Sequence, residues 1–197
     1  KMDIPHMLFI NKVDSFNFDI KTFLGSIQEC SPKPLVIRQI PIRKEDKIIG
    51  SADVIHERAY IYEKEKPSQI VKIPEELSSV RTEIREKVLE TLADFDDVLM
   101  EKILEDTPTS TEEIYENLKK DIASNKIIEV LTGSAENETG IHRLLKSIRH
   151  DCPTYEKTIK RNNYQTKDDV AFVQVFKTNY VPHRGKQSVL RIWSGEL

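Results

Sequence analysis

Two short apolar runs, each ending in a small polar loop, constrain this chain more than any other feature. Met7-Leu8-Phe9-Ile10 runs into Asn11-Lys12-Val13-Asp14, and Ile127 to Leu131 runs into Thr132-Gly133-Ser134-Ala135. Runs with four apolar residues, the second interrupted by Glu129, bounded by turn formers read as buried strands. In a parallel α/β sheet, ligands gather outside the carboxyl ends of such strands. The two loops therefore mark one end of a sheet, and everything between them has to leave that sheet and return.

The intervening sequence is mixed. Residues 18–30 have helical spacing, with Phe18, Phe23, Leu24 and Ile27 on one face, until Ser31-Pro32-Lys33-Pro34 breaks them. Leu35 to Ile42 is β-rich, 43–46 is a charged turn, and 48–54 and 56–62 read as two further strands. Residues 70–73 form a short extended piece. Pro74 with Glu75-Glu76 opens a helical stretch whose stripe is Val80, Ile84, Val88 and Leu92. A break at 94–97 leads to a second helix through Val98, Leu99, Ile103 and Leu104. Thr109-Ser110-Thr111 with Glu112-Glu113 starts a third, with Ile114, Leu118 and Ile122 inward. After the second loop, Gly140 to Arg149 reads as a helix with Ile141, Leu144, Leu145 and Ile148 inward. Pro153 ends it, residues 156–169 are polar and linker-like, and 170–177 and 188–193 are two strands around a turn at 182–185.

Composition excludes several classes. No run of about 18 apolar residues exists, so no membrane span is expected. A net charge of -3 gives no global pull toward DNA or a membrane surface. Cys30 and Cys152 are far apart and read as free thiols of a reducing, cytoplasmic setting. The five histidines show no ligand spacing, and no metal site is expected in this chain. Basic residues do not cluster along the sequence, apart from a mild group at Lys157, Lys160, Arg161 and Lys167.

The first loop carries chemistry that suits a guanine. That base presents two donors on one edge, N1–H and the 2-amino group. The two oxygens of Asp14 match them, the Asn11 amide can meet the other edge, and the Lys12 stem can lie along the ring. Adenine would leave the carboxylate facing the wrong groups, a mismatch worth roughly 10⁴-fold in selectivity. In the second loop, Gly133 and Ser134 let the backbone approach a planar base, and the amide of Ala135 or its neighbour can donate to a base oxygen. Each loop alone is equally an ordinary turn, with Asn and Asp as turn formers and Ser as a helix cap.

Taken together, Phe9-Ile10-Asn11-Lys12-Val13-Asp14 and Gly133-Ser134-Ala135 resemble the fourth and fifth guanine-recognition motifs of translational GTPases. The resemblance continues along the chain in order. Ile40 to Tyr62, with Gly50 and Asp53 ahead of a strand, resembles the insertion of elongation factor G. Phe95 to Asp106 resembles that insertion's acidic helix, Gly133 to Pro153 the last loop and helix of the GTPase domain, and Phe172 to Leu197 the opening of its β-barrel second domain. The resemblance implies an α/β fold: a partial P-loop GTPase domain carrying an inserted α+β subdomain, then the first strands of an all-β barrel. It divides the chain into residues 1–34 and 127–155 as the GTPase part, 35–126 as the insertion, 156–169 as a linker and 170–197 as the barrel start.

Further expectations come with it. Asn11 and Asp14 would read the guanine edge, Lys12 would pack on base and ribose, and Ser134 and Ala135 would hold O6 through the backbone. The ligand would be GTP or GDP, with Mg²⁺ in the parent protein only. Partners would be the ribosome, its stalk proteins and ribosomal RNA. The phosphate loop, the magnesium threonine and the DxxG stretch do not occur in these residues. The chain reads as part of a longer GTPase of translocation or recycling, and alone should not hydrolyse GTP. Three departures point to a diverged paralogue: Ser15 where Arg is common, Phe16-Asn17-Phe18 in place of small residues, and Arg43 where Pro-Ile-Gly is usual. Two alternatives stay open, a ribosomal-protein-binding module without nucleotide and a paralogue that binds guanine nucleotide without turnover.

Overall fold

The computed structural model describes residues 4–14, 19–45, 47–63, 66–167 and 169–197. The expectations for Ser15 to Phe18 and the Asp46 end of the charged turn lie outside them. The chain divides into two compact units, 1–152 and 153–197.

Unit one holds two sheets. Met7–Ile10 (β1), Leu35–Ile37 (β2) and Ile128–Thr132 (β7) form a parallel sheet in the order β1-β7-β2, with Ile10 opposite Thr132 and Val36 opposite Glu129. Strand β7 is buried along its whole length, as the centre of a covered parallel sheet must be. Between β1 and β2 runs helix α1 (Ile20–Gln28), whose N-terminus is capped by Asp19 accepting from the Thr22 amide at 3.0 Å. Gln39–Lys44 (β3), Lys47–Asp53 (β4), Arg58–Ile61 (β5) and Gln69–Val71 (β6) form an antiparallel sheet in chain order.

A short 3-10 turn at Glu75–Leu77 leads into α2 (Ser78–Ala93), followed by α3 (Asp97–Leu104) and α4 (Thr111–Ala123). The expected stripe of α2 is inside at Ile84, Val88 and Leu92, against Leu99, Ile114, Leu118 and Ile122 of the next two helices. The caps are those the sequence suggests. Asp96 accepts from the Leu99 amide at 3.1 Å, and Ser110 from the Glu113 amide at 3.2 Å. Helix α5 (Ile141–Asp151) follows β7.

The structure departs from the sequence reading in four places. Leu35 to Ile42 is not one continuous strand. It breaks at Arg38, and β2 joins the parallel sheet while β3 joins the antiparallel one. The charged turn starts later, because β3 continues to Lys44 through a bulge at Ile42/Arg43. The linker at 156–169 begins as a helix, α6 (Tyr155–Arg161). The fourth departure is the orientation of α5. Its buried residues are Arg143, Ser147 and Asp151, whereas Leu145 and Ile148 are 56% and 47% exposed.

Unit two is α6 with a hairpin of Phe172–Val181 (β8) and Gly185–Ser194 (β9). Both residues that bend its turn, His183 and Gly185, have positive φ. Tyr164 packs edge-on against Phe172 and Trp193 at 5.2 and 5.3 Å. Most of the hairpin side chains are exposed, Phe176 and Tyr180 among them.

Candidate functional site

The carboxyl ends of β1 and β7 place the two polar loops side by side. Their backbones are tied together, with the Gly133 amide donating to the Ile10 carbonyl at 3.0 Å and the Val13 amide to the Gly133 carbonyl at 3.3 Å. Val13 is the anchor of the first loop, 1% exposed, and Lys12 before it takes a left-handed backbone with φ 60°. That bend leaves Asn11 and Lys12 exposed on the rim. Arg43, from the antiparallel sheet, donates to the Val13 carbonyl at 3.3 Å.

The second loop is folded back on itself. Ser134 donates its amide to the Thr139 carbonyl at 2.9 Å, and its hydroxyl accepts from the Asn137 amide at 3.4 Å. Gly133 has to be glycine here. A Cβ would strike the Thr139 carbonyl oxygen and come within 2.9 Å of the Phe9 ring. Gly140 closes the loop at φ 77° and starts α5.

Two side-chain contacts bridge the loops. Asn11 Oδ1 accepts the Ala135 amide at 2.9 Å. Asp14 Oδ2 accepts from Asn137 Nδ2 at 2.5 Å. The other Asp14 oxygen, Oδ1, is buried and has no hydrogen-bond partner among the described residues. A buried carboxylate oxygen without a donor is costly, and it marks a place where a ligand's donor fits. The two backbone donors expected of this loop are both engaged, Ser134 on Thr139 and Ala135 on Asn11. A base oxygen would share the Ala135 donor with Asn11. Asn137 was missed from sequence, and so was Thr139, whose hydroxyl is also buried and unpartnered among the described residues. Both sit in a polar stretch that reads as plain loop.

Behind the loops lies a buried ion cluster that the sequence did not suggest. Arg38 Nη1 reaches Asp151 at 2.6 Å and Glu129 at 3.1 Å, and its Nε lies 3.7 Å from Asp53. Arg143 holds Asp53 at 2.9 Å and stacks 3.9 Å above the Tyr60 ring. The Tyr115 hydroxyl donates to Asp151. Burial works against the Asp53 charge, but hydrogen bonds from His56 and the Arg38 charge outweigh it and hold the carboxyl at about 2. For Glu129 burial wins over the pull of Arg38, which is shared among three carboxylates, and the carboxyl is pushed up to about 7. Its Oε2 has no partner among the described residues.

The Glu129 shift sets a pH dependence. Unfolded, this carboxyl titrates near 4.5 and folded near 7, so the folded state holds the proton more tightly. The stabilisation is complete below 4.5 and is lost as pH rises through 7, on the order of 3 kcal/mol. Urea midpoints between about pH 4.5 and 7.5 should fall for the native chain more steeply than for Glu129→Gln. Parallel slopes would rule out this assignment.

No family model matches the chain. A curated protein of Synechocystis sp., named elongation factor G-like protein, is 34% identical over 195 residues, which is 98% of this chain and 29% of that protein. This stretch of chain belongs to the elongation factor G-like family. It spans 29% of the length of that curated relative. A solved structure from Thermus thermophilus superposes with a TM-score of 0.82 at 25% identity, over 98% of this chain and 28% of its own. No helix among the described residues is long and apolar enough to cross a membrane.

Proposed function

We propose that this chain is the base-recognising part of an elongation factor G-like GTPase, together with its inserted subdomain and the start of its second domain. The whole protein would bind and hydrolyse GTP on the ribosome, in translocation or recycling, in the cytoplasm. The observation that carries this reading is the Oδ1 of Asp14, buried and without a partner among the described residues, beside an Asn11 that already ties the two loops together. Asp14 would accept from the donor edge of guanine, Asn11 would use its amide nitrogen on the opposite edge, and exposed Lys12 would supply a stem for the ring face. Ser134 and Ala135 shape the wall under the base oxygen.

Phosphates and Mg²⁺ would be held by stretches that these residues do not contain, so the chain alone would bind weakly and not turn over. The pairing of β2 with β7 favours an insertion that begins near Arg38 rather than at Leu35. A second reading, docking of a ribosomal stalk protein on the inserted helices, is favoured by Val98 and Leu104. They are 59% and 79% exposed on the acidic helix α3.

The test is GTP hydrolysis by the whole protein, with and without ribosomes, alongside GDP and ADP binding. Ribosome-stimulated turnover with preference for GDP is expected. Guanine binding without stimulation would favour the non-catalytic paralogue, and no preference for GDP over ADP would remove the nucleotide role altogether.

A further inference from the structure

Basic residues that are scattered in the sequence are gathered by α5. His142, Lys146, Arg149 and His150 fall at i, i+4, i+7 and i+8, one face of the helix, and all four are exposed. None of them forms an ion pair among the described residues. The one acidic residue of α5, Asp151, is turned inward onto Arg38 and Tyr115. The outward charge of this helix is therefore entirely positive, on a chain whose net charge is -3.

The stripe leads into a pocket of about 650 Å³ between α5 and strands β5 and β6. Among the described residues its walls carry Lys66, His142, Arg143 and Lys146, and no carboxylate. Lys66 and Arg143 are partly satisfied, by Glu63 at 3.0 Å and Asp53 at 2.9 Å, whereas Lys146 has no such carboxylate among the described residues. Its lining also holds Tyr60 with the Arg143 guanidinium stacked on it at 3.9 Å, both largely buried, and Ile70, 63% exposed. A volume of this size suits a nucleotide.

We propose that this face of α5 binds a single-stranded polynucleotide, with phosphates along the basic stripe and an unstacked base at the pocket mouth. Four residues of helix advance about 6 Å, so successive side chains of the stripe can meet successive phosphates of an extended strand. Arg and aromatic planes are the usual platforms for splayed-out bases. An acidic protein would use the stripe equally well but leaves the pocket without purpose, and this favours the polynucleotide. The site is separate from the Asn11–Asp14 loop and does not depend on guanine recognition.

The test uses the full 197-residue chain without nucleotide, with fluorescently labelled oligouridine, oligodeoxythymidine and polyglutamate as probes. The native chain is expected to bind oligouridine. Lys146→Glu/Arg149→Glu should weaken it at least about tenfold and flatten the logarithmic salt dependence by about 1–2. Lys47→Glu/Lys87→Glu, the same charge change on other exposed surfaces, should leave it unchanged, with circular dichroism confirming that both variants are folded. Equal binding of oligodeoxythymidine fits the proposal and assigns the contacts to the phosphodiester rather than the 2′-hydroxyl. Equal loss in both variants, absence of oligouridine binding, or preference for polyglutamate would overturn it. None of these outcomes bears on GDP binding at Asp14.

Discussion

If the whole protein binds guanine as proposed, replacing Asp14 by Asn is expected to turn its preference from guanosine to xanthosine nucleotides. The reason lies in a single atom position. Asp14 Oδ2 is occupied by Asn137, and Oδ1 is buried without a donor among the described residues. Guanine offers two donors to that carboxylate. An Asn side chain would set an N–H₂ against the 2-amino group, two donors facing each other. Xanthine carries a carbonyl at that position, and the same N–H₂ would satisfy it. Sites built to hydrogen-bond a ligand group reject the mismatched analogue by about 10⁴-fold, so the ratio of GDP to XDP affinity should change by that order in the whole protein. A ratio unchanged within about threefold would mean that Asp14 does not touch the base.

The largest loss of stability is expected from Arg38→Met. The substitution keeps an unbranched stem of similar length and removes the charge that Asp53, Glu129 and Asp151 share. Arg143 still serves Asp53, and the Tyr115 hydroxyl still serves Asp151, but Glu129 is left with no cation among the described residues. Breaking a buried pair from one side costs about 3–5 kcal/mol. For a protein of this size that corresponds to a fall of roughly 10 °C in Tm. A urea titration showing less than about 1 kcal/mol of change would mean that Glu129 and Asp151 are simply protonated without loss. Glu129→Gln in the Arg38→Met background should recover more stability as pH rises above about 7, where Glu129 would otherwise ionise beside no cation among the described residues.

The elements that periodicity defines were legible in the sequence. The run into Asn11, the buried run into Thr132, the Val80-to-Leu92 stripe and the Ser110 cap each carry a local pattern, and the structure keeps each of them. The departures come from partners distant in sequence. At Arg38 the β-rich run continues without a turn residue, and the change of sheet is compensated by carboxylates on β4, β7 and α5. Likewise Leu145 and Ile148 read as the inner face of α5 by hydropathy. The helix is instead rotated to bring Arg143, Ser147 and Asp151 onto that ion cluster. The clasp of Asp14 by Asn137 spans 123 residues and has no local signature. Residue types and spacing suggested which side chains could read a base, while the loops' proximity and the unfilled Oδ1 needed coordinates.

The parallel pairing of β2 with β7 has a consequence for how this family can vary. Parallel neighbours cannot be joined by a hairpin. They need a crossover of about a dozen residues or more. Residues 38–127 are that crossover, with the Ile128 amide returning to the Pro34 carbonyl at 2.9 Å where the excursion began. Lengthening such an excursion costs only about 0.6 kcal/mol per doubling. The parallel sheet unit meets this long detour at its two ends and at the ion cluster, and also where Lys21 pairs with Glu83 and where Arg43 donates to the Val13 carbonyl. Away from those contacts the detour can grow, shrink or change its outer surface while the two loops at the ends of β1 and β7 keep their spacing.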